Sequence, residues 1–352
     1  MIYTAMSQMI GNTPILEIKL NGTEWSLLLK IEKFNPGMSM KDRMARQMIF
    51  DSLASGKLTR DGVIVESSSG NTATGIAYIA SELGIRFIAV VDHHAAKDKI
   101  DTIRAYGGEI HMIQGDYSDD EVATVEREST AAALAKKIPG AIFFDQSNNF
   151  SNPKGYSTSL AHEILNDLGT DINELVACVG TGGSITGCGR ELKKEIPDLK
   201  IIGVEPKGST VFGFPGGPYF QSGTGVPPGD KIGVIYDPAL IDEGIIVDDR
   251  KAFTTCIYLA REHGLLVGGS AGGAIYEAVK RCTQNPGSGK TLCLVCDGGE
   301  KYLSTVFNDE WINEKNLFCE ETFSLLQKTL CKPYSASTVK INDFNQELKA
   351  CT

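Results

Sequence analysis

The sequence predicts an α/β protein of two domains, each a mostly parallel sheet flanked by helices. Three observations lead there. Short β-branched runs alternate with helical stretches, the 352 residues suffice for two cores, and a composition of 42% hydrophobic and 22% charged residues is that of an ordinary globular chain. In order, VIVES (63–67) precedes GNTATGIAYIASELG, RFIAVVD (86–92) precedes AAKDKIDTIRAYG, and EIHMIQ (109–114) precedes DDEVATVERESTAAALAKKI. AIFFDQ, ELVACVG, LKIIGVEP, LLVGG and TLCLVCD continue the strand series, with helical patterns between most of them. Residues 207–234, dense in Gly and Pro, are too long a structureless stretch for a linker and predict a functional loop.

Charge narrows the function. Lys and Arg total 34 against 44 Asp and Glu, a net charge of −10 with no basic block. That excludes wrapping nucleic acid or coating an anionic membrane and points to small-molecule partners. MIYTAMSQMIGNTP has no basic region followed by an apolar core, and no apolar run approaches a membrane span, so a cytoplasmic protein is expected. Nine cysteines without regular spacing argue for reduced thiols. Cys293 and Cys296 form the one C-x-x-C, but on a strand residues three apart face opposite ways, so neither a redox nor a zinc pair is expected. The five histidines form no ligand motif, and no metal is expected.

Four segments carry chemistry. In NPGMSMKDR (35–43), Asn35-Pro36-Gly37 is a turn, and Met44, Met48, Ile49 and Leu53 share one helical face after it, so Lys41 falls where a loop becomes a helix. By itself such a lysine reads as an exposed charge. ESSSGNT (66–72) lies between a strand and a helix, where backbone N–H groups and Ser68, Ser69, Asn71 and Thr72 can receive a carboxylate; a plain helix cap is the alternative. GTGGSITG (180–187) can fold into a nest of N–H groups suited to a phosphate. It is neither a dinucleotide fingerprint, which needs glycine where Ile185 stands, nor a P-loop, which needs lysine where Cys188 stands. GSGKT (287–291) ends like a P-loop but lacks its first glycine, Gln284 standing there, and reads as a surface turn. In CDGGEKYLS (296–304), Asp297 ends a strand at the side where parallel sheets bind ligands, or serves as an Asx turn residue.

These four segments, with GNTP (11–14) and KYLST (301–305), resemble in kind and order the cysteine synthase and cystathionine β-synthase family, the tryptophan-synthase-β-like, fold type II pyridoxal phosphate enzymes. The resemblance implies that Lys41 forms the internal aldimine and later moves the α-proton. It implies that Asn71 bonds the cofactor's ring oxygen, that Gly180, Thr181, Gly182, Gly183 and Ser184 cradle its phosphate, and that Asp297 partners its pyridine nitrogen. Ser68, Ser69, Thr72 and Gln146 would hold the substrate carboxylate, and Gly268 or Gly269 would line the site. It also implies a homodimer. Residues 45–150 would form the smaller, movable domain, and 1–44 with 151–310 the larger, phosphate-binding one; 311–352 would be an extension of unknown role. The implied reaction is β-replacement on an activated L-serine through an aminoacrylate, O-acetylserine plus sulfide giving L-cysteine.

The chain departs from the family pattern at Met38, where glycine is usual, at Tyr156, where histidine is frequent, and at SGTGVPPGDK (222–231), where cysteine synthases carry G-I-G-A-G. Two alternatives therefore stand beside cysteine synthesis. One is an O-phosphoserine-dependent synthase with an amine nucleophile giving 2,3-diaminopropionate-type products, a nearby cation such as Lys231 reading the phosphate. The other is an inactive scaffold that binds the cofactor.

Overall fold

The computed structural model describes residues 2–115 and 123–333. Two sheets divide the chain. The elements run β1 (Ile15–Ile18), β2 (Glu24–Ile31), α1 (Lys41–Ala54), β3 (Val63–Ser67), α2 (Asn71–Leu83), β4 (Arg86–Val91), α3 (Lys97–Ala105), β5 (Glu109–Met112), α4 (Thr124–Lys137) and β6 (Ala141–Phe143). After α5 (Ser151–Gly155), a π-helical turn at Tyr156–Leu160 and α6 (Ala161–Leu168) come β7 (Glu174–Cys178), α7 (Gly183–Glu195), β8 (Lys200–Pro206) and β9 (Glu243–Val247). The chain continues through α8 (Asp249–His263), α9 (Gly269–Gln284), β10 (Ser288–Val295), α10 (Asp309–Glu314) and α11 (Glu320–Thr329).

The four-stranded sheet, ordered β5-β4-β3-β6, is parallel throughout. The six-stranded sheet, ordered β1-β2-β10-β7-β8-β9, is parallel except for β1. Both faces of such sheets are covered by helices, which is why β3 and β7 are buried along their whole length. Each sheet also reverses its winding once. The chain steps from β3 to β4 to β5 and then returns to place β6 on the other side of β3; it steps from β7 to β8 to β9 and returns to place β10 beside β7. At such switch points the loops leaving the carboxyl ends of neighbouring strands diverge and leave a crevice. The 68–72 turn and Gln146 follow one such pair of strands, and the 180–184 turn and Asp297 follow the other.

Several expectations are corrected. LLVGG is not a strand: Val267 makes one isolated bridge to Gly298, and the paired glycines give way to α9 at once. GSGKT is a turn only to Gly287, because Ser288 already pairs with Glu24 on β2. Strands β1, β2 and β9 were not expected. Residues 119–122 of the helix expected after EIHMIQ lie outside the described residues, as do 334–352 of the C-terminal extension. The described part of that extension packs on the six-stranded layer: Phe323 of α11 stacks edge-on against Tyr258 of α8, 5.2 Å between ring centres, and Cys331 N–H donates to Lys19 O at 2.9 Å.

The eight described cysteines are all free, and no group of metal-binding side chains occurs among the described residues. No described helix is long and apolar enough to cross a membrane.

Candidate active site

Lys41 is the first residue of α1, whose Met44, Met48 and Ile49 are fully buried. The turn leading to it includes Met38 at φ 56, left-handed backbone that a long side chain seldom adopts. Hydrogen bonds hold it there. Met38 N–H donates to Asn35 O (2.8 Å), Gly298 N–H to Met38 O (3.2 Å) and Met40 N–H to Cys296 O (2.9 Å), while Gly37 N–H donates to Asp42 Oδ2 (2.6 Å). Below the turn, fully buried Arg43 pairs with Glu32 (2.6 Å) and Glu163 (2.7 Å). The Lys41 position is thus fixed from three sides. Its amine is desolvated, which lowers its pKa below the ordinary lysine range, while Cys296 and Asp297 pull the other way. A solvated surface charge does not have these properties.

The 68–72 turn is not an ordinary cap. Gly70 is the N-cap of α2, and no side chain caps it; Ser68 Oγ accepts from Gly70 N–H (3.1 Å). Thr72 Oγ1 donates to Gln146 Oε1 (2.8 Å), so the two strand ends at the first switch point are joined by their side chains. Asn71 instead reaches the other sheet. Its Nδ2 donates to Asp297 Oδ2 (2.8 Å), and its Oδ1 accepts from Lys301 Nζ (2.5 Å).

At the second switch point, α7 begins at Gly183 with Gly182 as its N-cap and no side-chain cap. Gly182 has φ 82, and a Cβ there would lie 2.6 Å from the Tyr236 ring; one on Gly183 would lie 2.1 Å from Asn152 Oδ1. Only glycine fits either place. Thr181 and Ser184 complete this turn, and Asn152 ties it to the first site, donating to Gln146 O (2.7 Å) and standing 3.5 Å from Thr181 Oγ1. The 207–234 loop closes over its start: Gly225 N–H donates to Val179 O (2.7 Å), as does Thr224 Oγ1 (2.9 Å).

Asp297 is 1% exposed, and its partners lie outside its own turn. Oδ2 accepts from Asn71 and from Tyr302 OH (2.7 Å); Oδ1 is buried with no partner. Gly268 N–H donates to Asp297 O (3.2 Å), which places Gly268 here, with Gly269 opening α9 next to it.

Around one cleft between the two sheets, hydrogen bonds bring Asn71 to Asp297, Thr72 to Gln146, and Gln146 through Asn152 to the Thr181 turn, while the cation Lys231 is exposed. Sequence reasoning missed Lys301, Tyr302 and Asn152. Lys301 Nζ also donates to Gly37 O (2.8 Å), joining the Lys41 turn to Asn71. The available signal was their position: Lys301 and Tyr302 directly follow Asp297-Gly-Gly-Glu, and Asn152 follows Gln146 by six residues.

Residues 6–297 match the family described as "Pyridoxal-phosphate dependent enzyme". The chain belongs to that family. A "Putative cysteine synthase" of Sinorhizobium fredii is 53% identical over 317 residues, covering 90% of this chain and 94% of that one. Among solved structures, the O-acetylserine-dependent cystathionine β-synthase of Helicobacter pylori superposes with a TM-score of 0.78 at 33% identity, covering 87% of this chain and 98% of its own. An O-ureido-L-serine synthase gives 0.81 at 30% identity, covering 89% and 100%. The fold is that of the fold type II enzymes, the cofactor is pyridoxal phosphate, and the chain is a β-replacement enzyme, which sets the inactive-scaffold reading aside.

Proposed function

We propose that this enzyme replaces the β-substituent of an activated L-serine, as a cysteine synthase does with O-acetylserine and sulfide to give L-cysteine. The observation that carries the reading is a desolvated Lys41 within the electrostatic reach of Asp297, which is itself hydrogen-bonded to Asn71 from the other switch point. When bound, pyridoxal phosphate supplies an electron sink conjugated to the substrate's α-carbon. The chain's residues fit it on three grounds. Asp297 Oδ1 is a buried acceptor lacking a donor, which a protonated pyridine nitrogen would provide. The uncapped start of α7, formed by Gly180, Thr181, Gly182, Gly183 and Ser184, offers N–H groups to a phosphate. Lys41, whose burial lowers its pKa, gives up its proton more readily than a surface lysine and is suited to act as nucleophile and base.

In this reading Ser68, Ser69, Thr72 and Gln146 orient the substrate carboxylate, fixing which bond faces Lys41. Asn71, its side chain held by Asp297 and Lys301, would bond the cofactor's ring oxygen. Lys41 takes the α-proton at its Nζ, and departure of the β-substituent leaves a β-carbon open to a second nucleophile. Residues 45–150 act as the smaller, movable domain, and 1–44 with 151–310 as the larger; their closure excludes water. A cytoplasmic homodimer completes the proposal.

A second reading, an O-phosphoserine-dependent synthase with an amine nucleophile, is favoured by the SGTGVPPGDK loop, which lies at the start of the phosphate turn. One experiment separates the two: visible spectra of the purified enzyme before and after O-acetylserine, O-phosphoserine or serine. The donor that moves the cofactor band to longer wavelength is the first substrate. A band that no donor moves contradicts β-replacement on these serines.

A further inference from the structure

Lys99 stands in the first turn of α3, on the four-stranded layer, and its ammonium crosses the cleft. Nζ lies 3.3 Å from Ser222 Oγ, in the 207–234 loop, and 5.4 Å from the ring centre of Tyr302, whose hydroxyl donates to Asp297. Its surroundings are unfavourable to a cation. The first turn of a helix repels positive charge, and burial lowers the amine's pKa below the usual lysine range. Its compensation is a long bond to one neutral hydroxyl, an aromatic face, and the charge of Asp297, whose Oδ2 is already taken by Asn71 and Tyr302.

The neighbouring cations are provided for. Lys97 and Arg104, on the same helix, both pair with Asp101; Lys33 pairs with Glu300 at 2.6 Å; Lys301 donates to Gly37 O and Asn71 Oδ1. Among the described residues no carboxylate pairs with Lys99. A half-buried cation at the mouth of a binding cleft, which feels Asp297 at a distance but makes no direct ion pair, is arranged to receive an anion from a ligand. The substrate's amino-acid carboxylate already has its turn at 68–72 in the reading above.

We propose that Lys99, together with the Ser222 hydroxyl, binds a second negatively charged substituent of a substrate, distinct from the amino-acid carboxylate. The inference rests on the β-replacement reading. Two sources share this chemistry: a phosphate leaving group on the serine donor, or a carboxylate on the incoming nucleophile.

Matched pairs distinguish them in the holoenzyme. O-Phosphoserine is compared with O-acetylserine at a fixed nucleophile, and mercaptoacetate with 2-mercaptoethanol at a fixed donor. In Lys99→Met, kcat/KM for the charged member should fall relative to its neutral partner by about tenfold or more in one pair, with Lys99→Arg restoring most of the ratio. The affected pair names the source. An equal fall for charged and neutral members in both pairs makes Lys99 a tie between the two layers and overturns the proposal, as does no change in either ratio. A wild-type enzyme that turns over neither donor refutes the activated-serine reading, and the proposal falls with it.

Discussion

Asn71 Nδ2 donates to Asp297 Oδ2 across 2.8 Å, joining the carboxyl ends of the two sheets through their side chains. The sheets' topology brings the pair together, because each residue follows a strand at a switch point. Lys301 and Tyr302 then fix it from the other side, one on the Asn71 carbonyl and one on the same Asp297 oxygen.

Asn71→Ala removes a donor to Asp297 and an acceptor for Lys301 while leaving Lys41 in place. Cofactor should stay bound, and kcat should fall by roughly 100- to 1,000-fold, the range seen when one pre-aimed hydrogen-bonding group is lost. Steady-state kinetics alongside the visible spectrum checks both halves. Unchanged kinetics would remove Asn71 from the site.

Lys301→Met leaves Gly37 O and Asn71 Oδ1 without their donor. The expected loss is about 1–3 kcal/mol of stability, read as a lower urea midpoint at constant slope. A midpoint equal to wild type would mean that water replaces both bonds.

Gly182→Ala puts a Cβ 2.6 Å from the Tyr236 ring, in backbone with φ 82. Cofactor affinity should drop by about tenfold or more, because a loss near 1.4 kcal/mol at this turn is enough. Equilibrium dialysis measures it. The double variant with Tyr236→Ala removes the clash but not the backbone strain, and should recover only part of the loss.

Glu66 is buried at the end of β3, and its carboxyl is pushed up to about 8, first by burial and then by Asp145 and Glu128. A carboxyl with a raised folded pKa stabilises the fold fully below its unfolded value and loses that contribution as pH rises through the folded one. The contribution from Glu66 should therefore decline between about pH 4.5 and 8. Glu66→Gln, which keeps the shape and cannot ionise, should flatten the fall in melting temperature over that window. Parallel wild-type and variant curves would show that Glu66 does not titrate there.

Much of this architecture is legible in the residues. VIVES is β3 to the residue, since five buried positions in a parallel sheet read as one apolar run with polar residues at its end. Lys41 opens α1 because the Pro-Gly turn and the Met44, Met48 and Ile49 face fix the boundary between them. Strand β2 was missed because EWSLLLKI has one β-branched residue, and Leu serves helices as well as strands. LLVGG misled in the opposite sense: its apolar residues form only the isolated bridge of Val267, and its glycines open α9. Within the site, backbone-led turns announce themselves through glycine, serine and proline. Lys301 and Lys99 do not, because a lysine reaches its partner through a long side chain whose direction depends on tertiary packing. Lys231, the last residue of the 222–231 loop, is exposed.

Three amines, those of Lys41, Lys99 and Lys301, are desolvated about the cleft, each with its pKa below the ordinary lysine range. The most direct measurement of which one carries the cofactor is borohydride reduction of the holoenzyme, followed by proteolysis and mass spectrometry. A pyridoxyl-phosphate adduct on the peptide containing Lys41, absent from Lys41→Ala, is the expected result. An adduct on Lys99 or Lys301 in the wild-type enzyme, with Lys41 unmodified, would contradict the assignment of Lys41 and the mechanism built on it.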